Sequence, residues 1–246
     1  MENLETLDLK GTSIKELPSS IDRLTQLSLL HLGNCEAIAS LPHSFFSLTS
    51  LSALVLSVVE VEWSTTQSFA YSNCWKLDEV ARVNIIANAQ LRIQWDGIGA
   101  SVNIWLSGSE IPKWFNDQNE GSIVTMELPP NWCSKFLGFG FGIVVAFNDY
   151  YDYIRFDLEC KCKFETVDGD CNEFDVSLYG LDSEYKPKSL CLDHLFVLYN
   201  HRMCAMVIQG DDGDDGDHRF STYQSCHKAS SEFSLLNEDL DCKLKK

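Results

Sequence analysis

No stretch of the 246-residue chain is both apolar enough and long enough to cross a bilayer. The longest strongly apolar run without a charge covers 136–147, well short of the roughly 20 residues a spanning helix needs. Positions 1–20 carry charges throughout and lack the apolar centre and cleavage pattern of a signal peptide. No Asn-x-Ser/Thr sequon occurs, which removes one mark of secretion. Basic residues are scarce: 19 Lys plus Arg stand against 36 Asp plus Glu, a net charge of -17. A field of that sign repels phosphate backbones and anionic lipid, so neither nucleic acid nor a membrane surface is expected as a partner. Neither G-x-x-x-x-G-K-[ST] nor G-x-S-x-G is found, which excludes P-loop hydrolysis and a nucleophile elbow from this chain. Its ten cysteines are too few and too irregularly spaced for a disulfide scaffold. Reduced thiols in the cytoplasm or nucleus are therefore expected.

With 45% hydrophobic and 22% charged residues, the composition is that of a folded chain, long enough for one large or two small domains. L-x-x-L-x-L occurs three times, as Leu4-Leu7-Leu9, Leu27-Leu30-Leu32 and Leu51-Leu54-Leu56. The first leucines lie 23 and 24 residues apart, within the range of leucine-rich repeats. Ile14-Leu17-Pro18 and Ile38-Leu41-Pro42 agree in the second half of each turn. Residues 1–60 thus read as two full repeats plus a third strand, lacking an N-terminal cap, so either the downstream domain closes the array or the chain is a fragment of something longer. Solvent-facing positions should form ladders Thr6–Leu29–Ala53, Asp8–His31–Val55 and Lys10–Gly33–Ser57. Such faces bind proteins, with Leu29 and Val55 the better contacts because exposed apolar groups are informative.

Residues 61–101 read as a linker and capping helix. Positions 64–68 form a polar breaker, and Leu77, Val80, Ala81, Ile85 and Ala89 recur at helical steps across 75–94. From 102 to 246 the period becomes two. Phe139, Phe141, Ile143, Val145 and Phe147 alternate with Gly138, Gly140, Gly142, Val144 and Ala146, and Ile154 to Phe164 alternate with charged residues. Further strands are expected at 102–106, 122–128, 173–179, 195–198, 204–208 and 231–236. The fold class is mainly β: a short repeat segment, a capping helix, then an antiparallel β-sandwich. Loops at 116–120 and 148–152 supply further candidate contacts, Asn116, Asp117, Gln118, Asn148, Tyr150 and Tyr151, chosen for polarity.

Chemistry finds little footing. Asp211-Asp212-Gly213-Asp214-Asp215-Gly216-Asp217 fits no EF-hand register and reads as a solvated loop. Cys160 and Cys162 fall on the apolar face of their strand, where thiols act as small hydrophobes, and no second pair completes a zinc site. Asp193-His194 reads as a turn. Neither a metal, a cofactor nor a catalytic residue is assigned. Two alternatives remain open. One is a carbohydrate platform built on Trp63, Trp75, Trp95, Trp105, Trp114 and Trp132; the other is a hydrolase using a Cys–His pair such as His201 with Cys204 or Cys226 with His227.

The run Leu7 to Ile21, with Leu17-Pro18-Ser19-Ser20-Ile21, resembles the last repeats of plant intracellular immune receptors that carry Toll/interleukin-1-receptor-like (TIR) and nucleotide-binding domains. Asn73-Cys74-Trp75-Lys76-Leu77-Asp78 resembles their post-repeat junction. Ser107-Gly108-Ser109-Glu110-Ile111-Pro112-Lys113-Trp114-Phe115 resembles the hallmark of their C-terminal jelly-roll and Ig-like domain (C-JID). Gly121-Ser122-Ile123, Glu127 to Trp132, Phe136-Leu137-Gly138-Phe139 and Asp193-His194-Leu195-Phe196 continue it in order. The resemblance implies a jelly-roll/Ig-like sandwich and a non-enzymatic module that recognises a pathogen effector protein. Other domains of a full-length receptor would be further partners, and the NAD-cleaving TIR part would lie outside this chain. A Cys-Gly-Val stretch of the family's last strand is missing after Lys246, so an unpaired sheet edge is expected. Counting charges gives -5 for 1–102 and -12 for 103–246, so a partner with a basic surface is expected.

Overall fold

The computed structural model describes residues 3–32, 35, 37–55, 66–71, 76–96, 101–132, 136, 138–151, 156–181, 189–200, 203, 207, 223, 225–236 and 242–244. Three short parallel strands come first, β1 (Thr6–Asp8), β2 (Leu29–His31) and β3 (Ala53–Val55). The leucine spacing sets their register: Leu7 lies beside Leu30, and Leu30 beside Leu54. Each return crosses the far side as a 3-10 helix, Ser19–Arg23 and His43–Ser47, entered from Pro18 and Pro42. The prolines' fixed φ suits that entry, and Ile21 and Phe45 are buried beneath it. Between strands the backbone bonds are repeated by serine: Ser28 Oγ donates to Glu5 O at 3.0 Å and Ser52 Oγ to Ser28 O at 3.1 Å.

A fourth parallel strand, β4 (Thr66–Tyr71), then pairs with both β3 and β5 (Ser101–Ser107). Residues 66–68, expected within a polar breaker, are thus strand. The Ser68 amide takes Ser52 O at 3.0 Å, extending the same ladder, and the alternate residues Phe69 and Tyr71 supply the inward apolar groups. Between β4 and β5 runs the crossover helix α1 (Glu79–Asp96). It begins later than the apolar spacing suggests because Asp78 caps it, accepting the Ala81 amide at 2.7 Å. Ala81, Ile85 and Ala89 face inward, whereas Val80, expected on that face, is 69% exposed. Val80 sits one position before Ala81, about 100° round the helix, so the two cannot share the buried stripe.

Seven further strands follow among the described residues: β6 (Ile123–Glu127), β7 (Gly140–Tyr151), β8 (Phe156–Thr166), β9 (Cys171–Leu181), β10 (Ser189–Tyr199), β11 (Cys226–Leu236) and β12 (Cys242–Leu244). One sheet has the order β1-β2-β3-β4-β5-β10-β7-β12, the other β6-β11-β8-β9. The first is parallel as far as β5 and antiparallel beyond it; the second is antiparallel throughout. Mainly β, with a sandwich after residue 101, is therefore the architecture. Residues 148–151, expected in a loop, extend β7 and pair with β10 through Tyr150–Leu190 and Tyr151–Ser189. Asp193-His194, read as a turn, is likewise strand, opposite Ala146 and Val145. Both corrections share one cause: a strand pair this long carries polar residues without breaking, since its ladder is made by backbone. At the far edge β12 pairs with β7 over residues 145–147. Of the strand expected at 204–208 only Val207 is described, and it is buried and helical rather than extended; the acidic 211–217 run lies outside the described residues.

Two cores lie on opposite faces of the long sheet. Leu30, Leu54, Phe69, Ile104 and Val197 face α1 and the 3-10 helices in one. Trp105, Phe141, Phe147 and Phe196 join Leu158, Cys160, Cys162 and Phe164 of the second sheet in the other. The row Asp8–His31–Val55–Ala70–Trp105 is continuous in register. A face open to solvent at β1 is thus the sandwich interior by β5.

Candidate partner-binding site

The expected ladders are present as neighbours: Thr6, Leu29 and Ala53 pair in turn, as do Asp8, His31 and Val55. Their environments differ. Thr6, Asp8 and Lys10 are exposed and Leu29 is half-buried, with Asp8 Oδ1 accepting the Lys10 amide at 2.9 Å. His31, expected to face solvent, is only 7% exposed, its Nδ1 3.6 Å from Asp8 Oδ1. One row on, Ser68 and Asn103 are buried too, because the face turns inward towards the sandwich. For Ala53 and Val55 only the strand position is described, and Gly33 and Ser57 lie outside the described residues. The side chains of Asn148, Tyr150 and Tyr151 are likewise not described.

Asn116, Asp117 and Gln118 form the outer wall of a cavity of about 350 Å³ between α1, β6 and β7. Their loop is held at both ends. The Gly108 amide donates to Asp193 O at 2.8 Å, with φ of 141° that favours glycine, and the Arg82 guanidinium donates to Ser107 O. At the other end Asn119 Nδ2 donates to Ile123 O at 2.8 Å. In the middle, Trp114 and Phe115 stack at 4.0 Å between ring centroids. They press on the glycine side of β7: a Cβ at Gly142 would stand 2.8 Å from Phe115 Cε2. The alternation of Phe with Gly at 138–142 thus has a second meaning that sequence reasoning missed. Its phenylalanines fill the sandwich, and Gly142 makes room for Phe115.

The other candidate chemistry, where it is described, falls into packing; Trp63 and Trp75 lie outside the described residues and the Trp95 side chain is not described. Trp105 and Trp132 are buried, and Trp132 Nε1 donates to Cys226 O at 3.2 Å. Cys160 and Cys162 are fully buried with their sulfurs 3.4 Å apart. Their mutual hydrogen bond holds the Cys160 thiol well above its ordinary range, reinforced by burial, and lowers Cys162. Cys226 is buried and His227 half-buried; His201 and Cys204 lie outside the described residues. Among the described residues no cluster of three or more His, Cys, Asp or Glu could hold a metal.

The C-JID domain model matches residues 106–239, spanning the anchored loop and the sandwich strands β6 to β11. The chain belongs to the C-JID family. It is 28% identical over 270 residues to the disease resistance-like protein DSC1 of Arabidopsis thaliana, covering 97% of this chain and 21% of that protein. Against disease resistance protein RPP2B of the same plant it is 29% identical over 251 residues, covering 89% and 20%. With disease resistance-like protein CSA1 identity is 23% over 250 residues, covering 92% and 20%. This C-JID chain spans about a fifth of the length of these curated relatives. C-JID is a non-catalytic domain of disease resistance proteins, and Trp105, Trp132, Cys160, Cys162 and Cys226 all lie in the sandwich core.

Proposed function

We propose that the chain is the effector-recognition part of a plant intracellular immune receptor, acting in the cytoplasm and nucleus without catalysis of its own. The observation that carries the reading is the C-JID match, set beside relatives that are disease resistance proteins along nearly the whole of this chain. Supporting it, the exposed side chains of Thr6, Asp8 and Lys10 at β1 and the Asn116–Gln118 loop are polar surfaces carried on a strand scaffold, the usual arrangement for recognition. The remaining parts of a receptor are proposed as its second partners, engaged from the β1 side, where a parallel ladder is open to extension.

A panel of purified effector proteins from plant pathogens, titrated by biolayer interferometry against the intact chain, tests the proposal. At least one effector is expected to bind saturably, and Leu29→Asp combined with Asn116→Ala should weaken it about tenfold or more. Binding that ignores both substitutions, in a chain that still unfolds cooperatively, removes these surfaces from the account.

A further inference from the structure

The cavity behind the 108–122 loop joins apolar walls, with the Trp114 Nε1 donor buried among them, to a polar rim that carries one carboxylate. Trp114, Phe115 and Met126 give it apolar walls, and the glycines of β7 line its inner side. The rim offers acceptors. Asp117 contributes a carboxylate, and Gln118, which spends its Nε2 on Phe115 O at 3.0 Å, has Oε1 left over. Asn116 and Gln90 add amides beside them. Among the described residues that line it, none is a lysine or arginine.

We propose that this cavity receives an arginine side chain of the protein the chain recognises. The inference rests on the recognition reading above and names the anchoring chemistry. Aliphatic stems lie along apolar walls while their charged heads reach polar rims. A guanidinium brings five donors in a plane to a rim of acceptors, and its face stacks on aromatic rings. Lysine, compact and strongly hydrated, fits the first requirement and not the second. An anionic group would meet Asp117 and the field of a chain with net charge -17. Long-range attraction of the same sign guides a basic partner to the site. A single arginine seated in a largely dehydrated pocket is a common form of interface anchor.

The test uses the intact chain labelled with 15N and the probe N-acetyl-arginine-N-methylamide, compared with its citrulline and norleucine counterparts. Saturable shifts are expected for the amides of residues 115–119 with the arginine probe. Citrulline, which keeps the shape and loses the charge, should bind about fivefold or more weakly. Asp117→Asn should bring arginine down to the citrulline level while the rest of the spectrum stays in place. Equal responses to arginine, citrulline and norleucine, or shifts confined to other parts of the chain, overturn the assignment. If the arginine probe fails while an effector still binds and protects the 108–122 loop, only the arginine assignment falls. If no effector binds either, the recognition reading falls with it.

Discussion

At the scale of single residues, two positions carry more than their sequence context announces. Gly142 sits where a Cβ would collide with the Phe115 ring at 2.8 Å, whereas at Gly140 the nearest group is Ile93 Cδ1 at 3.9 Å. Gly142→Ala should therefore cost about 1–3 kcal/mol and displace the Trp114–Phe115 pair, seen as a lower Tm with altered tryptophan fluorescence. Gly140→Ala should leave both nearly unchanged. His194 is fully buried, edge-on to Phe147 at 5.6 Å, with Nε2 3.4 Å from Ser107 Oγ. Burial pushes it down to about 4, only partly opposed by a backbone hydrogen bond at Leu192 and by Asp193. The folded form is thus neutral where the unfolded form, near 6.5, begins to take a proton. Its contribution is complete above pH 6.5 and is lost as pH falls towards 4, a difference of about 3 kcal/mol. Denaturant melts at stepped pH should show this slope in the native chain and its loss in His194→Gln. Neither role could be read from sequence: the phenylalanines alternate for one face of β7 while the contact that needs Gly142 lies on the other, and Asp193-His194 has the composition of a turn.

At the scale of elements, a buried cation ties α1 to the repeat segment and to β4. Arg92 donates to Leu51 O at 3.0 Å and Leu48 O at 3.3 Å, and to Gln67 Oε1 at 2.8 Å. Its Nε donates to Asn88 Oδ1 at 2.7 Å, and its guanidinium lies 4.4 Å from the centre of the Phe69 ring. Arg92→Ala leaves two buried carbonyls short of a donor and should destabilise the chain by roughly 2–3 kcal/mol in urea titration. Arg92→Lys should recover little of it, since one ammonium cannot span the same acceptors. Leu7, Leu30 and Leu54 announced β1 to β3 because period and spacing agree with a parallel ladder. Strand β4 stayed hidden because only its odd members, Phe69 and Tyr71, look like strand, and its pairing comes from Ser52 and from β5, distant in sequence. Strand β8 was legible through alternation and β11 only from residue 231, whereas the extra length of β7 and β10 is bought by mutual pairing rather than by local pattern.

For the molecule as a whole, the sheet that begins at β1 is the sheet that forms half the sandwich. Composition divides the chain near residues 60 and 102, yet β4 pairs on both sides of that division. The open ladder and the anchored 108–122 loop are consequently held on one scaffold, on opposite faces of its long sheet. The C-JID resemblance was legible in Ser107 to Phe115 because that segment must reverse at Gly108, pack Trp114 and Phe115, and return to β6. The surface that would read a partner was less legible, since exposed side chains such as Thr6 and Asn116 obey no packing rule. The measurement that tests the account most directly is hydrogen exchange on the intact chain with and without a bound effector. Protection is expected at the amides of β1 and β2, across 108–122, or at both. Protection confined to the outer face of the second sheet, around Lys161 and Glu173, would contradict it.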